Sequence, residues 1–298
     1  MKTTDIHIRD PFVLPIAQSG FYYLFGTTDK NCWGGKGTGF DCYRSRDLSD
    51  WEGPFPAFRP APSFWGETQF WSPEVHFFKG RYYMFATFKA EGCYRGTQIL
   101  VADAPEGPYE PWSDGPVTPK NWECLDGTLH IDEDGNPWIV FCHEWVQVHN
   151  GAVYAQRLSE DLKQAVGRPV FLFNASEAPW GCASNWKDNK TPRLFPVYVT
   201  DGPFLYRTRE GGLLMLWSSD GQKGYAMGIA RSTTGKVEGP WEHEPEALWS
   251  EDGGHGMIFR AFDGRLFVTL HQPNKLTKER PVFREICEKD NALFLKSV

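Results

Sequence analysis

No stretch of the 298 residues approaches the ~18 consecutive apolar positions of a membrane span. The opening Met1-Lys2-Thr3-Thr4-Asp5 has no apolar core of the kind a secretory signal carries. Basic runs are missing too: 31 Lys and Arg stand against 38 Asp and Glu, for a net charge of -7, which argues against nucleic acid and against an anionic membrane surface as partner. The 7 cysteines follow no regular spacing. Cys32 and Cys42 bracket a loop, but nothing demands a pairing, so reduced thiols and an intracellular (cytoplasmic) protein are expected. Disorder is excluded, with hydrophobic residues at 41% and charged ones at 23%.

What the chain has in quantity is aromatic residues, 15% of the total including 13 Trp, and they recur in order. Around Asp201-Gly202-Pro203-Phe204-Leu205-Tyr206 a carboxylate opens an apolar run, Glu210-Gly211-Gly212 turns it, and Leu213-Leu214-Met215-Leu216-Trp217 follows, short and apolar enough for a buried strand. A third strand, Tyr225 to Ala230, and an outer segment ending at Trp241 complete a four-stranded antiparallel unit. The same layout opens at Asp10, Glu74, Asp126 and His255, each with an aromatic second strand such as Phe21-Tyr22-Tyr23-Leu24-Phe25 or Trp138-Ile139-Val140-Phe141. Five such sheets predict an all-β, five-bladed β-propeller spanning residues 1–298, because one blade cannot bury both faces without its neighbours.

In a propeller the inner strands surround the central channel, so the five heads Asp10, Glu74, Asp126, Asp201 and His255 are expected to converge. Crowded carboxylates repel one another and raise some of their pKa values. A site needing one base and one protonated acid uses that cost; a structural protein does not. Strand-opening acids that merely cap backbone N–H groups are the plainer alternative, above all for Glu74. Long return loops (55 to 73, 110 to 125, 166 to 200, the last with Trp180 and Trp186) and second-to-third-strand loops carrying Trp33 and His143-Glu144-Trp145 fall on the face of the heads and describe a pocket.

With these motifs the chain resembles glycoside hydrolase family 43, over about residues 7 to 295. The resemblance implies a general base at Asp10 (Arg9-Asp10-Pro11), a carboxylate that orients the acid and tunes its pKa at Asp126 (Leu125-Asp126-Gly127), and a general acid at Asp201. The family's acid triplet is Glu-Gly-Pro, and here it is Asp201-Gly202-Pro203, one methylene shorter; Glu177 is the alternative acid. Three Glu-Gly-Pro triplets, at Glu52, Glu106 and Glu238, precede outer strands and are decoys. The family also implies a last-blade His at the channel centre beside a hydrated calcium or sodium ion, here His255, with no cofactor required, and a sugar-contacting Arg, here Arg280. Trp33, Trp71, Trp145 and Glu74 complete the expected substrate contacts.

The resemblance implies single-displacement inversion on an oligosaccharide substrate, with removal of terminal α-L-arabinofuranosyl residues expected first and β-D-xylosides or β-D-galactofuranosides as alternatives. Trp65, with Trp33 and Trp145, is expected to close the channel for such exo action. Two competing readings are a retaining fructofuranosidase-like enzyme, suggested by Trp122-Glu123-Cys124, and a sugar-binding propeller without catalysis.

Overall fold

The computed structural model describes residues 1–184 and 195–297; Trp186 lies outside the described residues. Five four-stranded antiparallel sheets are each built from strands consecutive in sequence. Blade 1 comprises Arg9–Ile16, Phe21–Thr27, Phe40–Ser45 and Trp51–Phe58. Blade 2 comprises Thr68–Phe78, Arg81–Lys89, Gly96–Ala102 and Glu110–Pro111. Blade 3 comprises Cys124–Ile131, Pro137–His143, Ala152–Leu158 and Ala165–Asn174. Blade 4 comprises Asp201–Arg207, Leu213–Gly221, Gly224–Ser232 and Trp241–His243, and blade 5 Gly254–Arg260, Leu266–Gln272, Arg280–Lys289 and Ala292–Leu295. This is the expected five-bladed β-propeller.

Each sheet is covered on both faces, so its middle strands lose apolar/polar alternation: Leu213 through Trp217 are all fully buried. Large rings wedge the blades together, as where Phe58 of blade 1 and Phe88 of blade 2 meet edge to face at 5.9 Å between centroids. The Glu-Gly-Pro triplets at Glu52, Glu106 and Glu238 lie within or just before outer strands, as expected of decoys.

Every inner strand carries the same bulge. Two residues oppose one on the second strand between Arg9 and Phe12, Trp71 and Glu74, Leu125 and Thr128, Asp201 and Phe204, and Gly254 and Met257. The first bulged residue is left-handed in all five blades: Asp10 (φ 52), Ser72 (φ 43), Asp126 (φ 57), Gly202 (φ 52) and His255 (φ 49). A bulge re-aims its side chain and frees a backbone N–H, while four non-glycine residues accept a costly conformation. The repeat therefore runs Asp10, Ser72, Asp126, Gly202, His255. This corrects two heads: Glu74 sits two residues beyond its bulge, and Asp201 one residue before its own.

The blades close side chain to side chain where blade 5 meets blade 1. Arg9 Nη1 donates to Glu279 Oε1 at 2.7 Å, and His7 Nε2 lies 3.2 Å from Glu279 Oε2. The Tyr22 hydroxyl accepts from Phe262 N at 2.8 Å, and Trp51 stacks on Phe283.

Candidate active site

The freed bulge N–H groups find acceptors on the neighbouring blade. Ser72 N donates to Thr27 Oγ1 at 2.9 Å, Asp126 N to Thr87 Oγ1 at 2.9 Å, and His255 N to Ser218 Oγ at 2.8 Å. Asp10 N closes the ring by donating to His271 Nδ1 at 3.2 Å. These acceptors occupy one equivalent place near the end of each second strand, opposite the residue before the bulge. In blade 3 that place holds Cys142, a weak acceptor. There Gly202 N turns instead to Asp126 Oδ2, at 3.0 Å. The exception ties the blade-3 carboxylate to the strand that carries Asp201.

The bulges open into a cavity of about 670 Å3 lined by Asp10, Asp126, Asp201, His255 and Tyr225, with Trp33, Trp71 and Trp145 among its walls. His255 Nδ1 stands 3.2 Å from Asp10 Oδ1 and 3.7 Å from Asp126 Oδ2. Thr27 Oγ1 donates to Asp10 Oδ2 at 2.7 Å, and Ser72 Oγ donates to Asp126 Oδ1. Thr27 and Ser72 thus join the two carboxylates by a short hydrogen-bonded path. The Tyr225 hydroxyl donates to Asp201 Oδ2 at 2.8 Å, and its ring stacks on His271.

This arrangement separates the carboxyls by protonation. Burial pushes Asp10 upward, but His255, Arg9 and the Thr27 hydrogen bond outweigh it and hold Asp10 below the ordinary aspartate range. Burial and then Asp126 push Asp201 up to about 7, against the opposing pull of His255 and Tyr225. Asp126 is raised by burial and by Asp10, with His255 opposing. Burial works against the charge on His255, yet Asp10, Asp126 and Asp201 together raise its pKa. Burial lowers His271 to about 3, so the neutral ring accepts from Asp10 N. With Asp10 held low and Asp201 raised to about 7, the cavity brings together one carboxyl suited to take a proton and one suited to give it.

The cavity does not take in every expected residue. Glu74 receives Thr128 Oγ1 and faces His76 Nε2 at 3.1 Å, two residues past the bulge and away from the cavity. Arg280 spends its guanidinium on Thr4 O and Glu279 O, at the closure between blades 5 and 1. Trp65 lines a neighbouring groove instead of the cavity. Glu177 is exposed and caps a short turn by accepting from Asn174 N at 2.9 Å. Glu123 is held by Lys89 Nζ at 2.6 and 2.9 Å and by Arg95 N, which removes the support for a fructofuranosidase-like acid. In exchange, the sequence reading missed Thr27, Ser72, Tyr225, His271, Gln69 and Arg95. A polar residue near the end of an aromatic second strand was the available signal for two of them, Thr27 and His271.

Residues 4–290 match the model of Glycosyl hydrolases family 43. The chain belongs to that family. Among solved structures similar to this family-43 chain, an endo-arabinase from Bacteroides thetaiotaomicron VPI-5482 is 44% identical, with a TM-score of 0.88 over 97% of this chain and 98% of that one. A thermostable family-43 glycoside hydrolase, 24% identical with a TM-score of 0.80 over 98% of this chain and 93% of that one, shares the fold. An extracellular endo-alpha-(1->5)-L-arabinanase 1 of Bacillus subtilis (strain 168) is 23% identical over 150 residues, which are 46% of this chain and 44% of that protein. The chain thus aligns with less than half the length of that curated relative.

For the ion that family membership suggests, His255 offers little: its Nδ1 already faces Asp10 Oδ1 at 3.2 Å and Asp126 Oδ2 at 3.7 Å. Among the described residues no group of three His, Cys, Asp or Glu side chains is placed to hold a metal. The residues present do not fit an ion bound by several side chains, and no step below runs through one.

Proposed function

We propose that this family-43 hydrolase cleaves α-L-arabinofuranosyl linkages of arabinan with inversion, acting within the chain. The observation that carries the reading is the pairing of an ionised Asp10 with an Asp201 held up to about 7 in the same cavity. Water enters beside Asp10, its oxygen bonds to the anomeric carbon, and Asp10 takes its proton. The bond from the anomeric carbon to the departing oxygen breaks as Asp201 hands that oxygen its proton. Solvent then returns both carboxyls to their starting states. Asp126 contributes through charge, keeping Asp201 protonated, and through Gly202 N, fixing the strand beside it.

Arabinan as substrate is supported by the 44% identity to a structure described as an endo-arabinase. Internal cleavage takes the place of the terminal-residue mode expected from sequence. Removal of terminal residues remains the second reading because Trp33, Trp145 and Leu276 wall the cavity. The Bacillus relative is named extracellular. A polymeric substrate points the same way, so we propose a secreted protein in place of the intracellular one expected from the cysteines.

Digestion of linear arabinan, with products separated by size, tests the reading. Intermediate arabino-oligosaccharides appearing before arabinose are expected, and arabinose alone from the outset would favour terminal cleavage. The first-formed reducing end should carry the β configuration by NMR; an α product would rule out inversion. Asp10→Asn should lower kcat about 10²–10⁴-fold on any substrate, whereas Asp201→Asn should do so on arabinan and spare an activated aryl α-L-arabinofuranoside.

A further inference from the structure

Beside the catalytic cavity lies a second hollow, about 970 Å3, between the return loop after blade 1 and the outer part of blade 2. Ligand sites commonly measure about 300–1,000 Å3, and this one is lined by Phe64, Trp65, Tyr94, Tyr109, Glu110 and Lys120 among others. Arg95 lines both hollows and is the partition between them. On the cavity side its Nε donates to Gln69 Oε1 at 2.9 Å, its guanidinium pairs with Glu144, and its charge lies 4.6 Å from the Trp71 ring centroid.

The groove has an oriented aromatic wall. Trp65 Nε1 donates to Gln98 Oε1 at 2.5 Å, and Gln98, itself buried, donates its amide to Ser113 O at 2.8 Å. Gln98 therefore spends both ends of its side chain on holding the indole in one orientation, which lowers the entropic cost of a ligand settling on it. Tyr94, 48% exposed, adds a second ring on the loop that leads into Arg95. Aromatic faces with carboxylate and ammonium groups around them suit a neutral polyhydroxylated chain, whose C–H faces stack and whose hydroxyls both donate and accept.

We propose that this groove binds the distal stretch of the same polysaccharide that is cut in the cavity, the chain passing over the Gln69 and Arg95 wall. The assignment rests on the proposed arabinan reading for the identity of the sugar, and on the shared Arg95 wall for the route. The groove gives the enzyme a grip on polymer that short substrates never reach.

The test separates grip from chemistry. In an Asp10→Asn background, native gels containing linear arabinan, xylan or galactan measure binding without turnover. In the active background, KM is compared on arabinan and on an aryl α-L-arabinofuranoside. Tyr94→Ala is expected to weaken polymer binding and raise polymer KM about tenfold, with the aryl glycoside unchanged, and Tyr94→Phe to restore both. Unchanged polymer values in Tyr94→Ala, or equal losses on the short glycoside, would overturn the groove while leaving arabinan hydrolysis standing. Tyr94-dependent retardation by xylan or galactan, with no turnover of any arabinofuranoside, would keep the groove and overturn the proposed sugar.

Discussion

Tyr225 and Asp201 share a hydrogen bond in which the phenol donates to Oδ2 at 2.8 Å. With Oδ2 accepting from the phenol, the transferable proton of a neutral Asp201 belongs on Oδ1. Tyr225 is thus the residue that holds the Asp201 carboxyl in one rotamer, a task a glutamate's extra methylene would have changed.

Activity should follow a bell with unequal limbs. Asp10 must be ionised, and its pKa lies below the ordinary aspartate range; Asp201 must be protonated, and it sits at about 7. Catalysis therefore rises at acidic pH and falls as pH climbs through about 7. The Tyr225 bond favours ionised Asp201, so Tyr225→Phe should move the alkaline limb of kcat/KM upward by roughly one unit. Asp126→Asn removes a negative charge and should move the same limb downward. An alkaline limb that ignores both changes would remove Asp201 from the acid's role.

Thr27 serves two sides at once, accepting from Ser72 N and donating to Asp10 Oδ2. Thr27→Val keeps the shape and deletes both bonds. Asp10 loses a group that lowers its pKa, so the acidic limb should shift to higher pH. The orphaned Ser72 N–H should cost about 1–3 kcal/mol in urea unfolding.

At Gly202 an added Cβ would lie 2.4 Å from His255 Cδ2, on a backbone with φ of +52. Gly202→Ala should therefore displace the imidazole that stands against Asp10 and Asp126. The expected signs are a loss of about 1–3 kcal/mol in thermal unfolding and a drop in kcat larger than the change in KM. Wild-type kinetics in this variant would mean that His255 does not set the charges of the site.

Ring closure depends on the buried Arg9–Glu279 pair. Glu279→Ala leaves Arg9 uncompensated and should cost about 3–5 kcal/mol by denaturant titration. Burial opposes ionisation of Glu279, but His7 and Arg9 lower its pKa overall. Its contribution is hence present above the ordinary glutamate range and lost as pH falls through the lowered folded value. The stability difference between wild type and Glu279→Ala should narrow on acidification, and a constant difference would assign the loss to packing.

Aromatic second strands such as Phe21 to Phe25 and Leu213 to Trp217 made the five-blade repeat legible, because a strand buried on both faces must be continuously apolar whatever surrounds it. Asp10, Asp126, Asp201 and His255 were legible for a related reason: acids opening apolar strands are costly and need a purpose. Glu74 and Arg280 show where this stops. In blade 2 the bulged position is Ser72, two residues before Glu74, and a serine opening a strand carries no such signal. Arg280 found its partners in Thr4 O and Glu279 O, groups brought near only by ring closure. The sequence by itself thus determined the architecture and which acids open the inner strands, both set by local pattern. Only the tertiary structure decided which oxygen Tyr225 holds, how Thr27 serves Asp10 and Ser72, and which carboxyl keeps its proton, because hydrogen bonds and pKa values depend on distances between blades far apart in sequence.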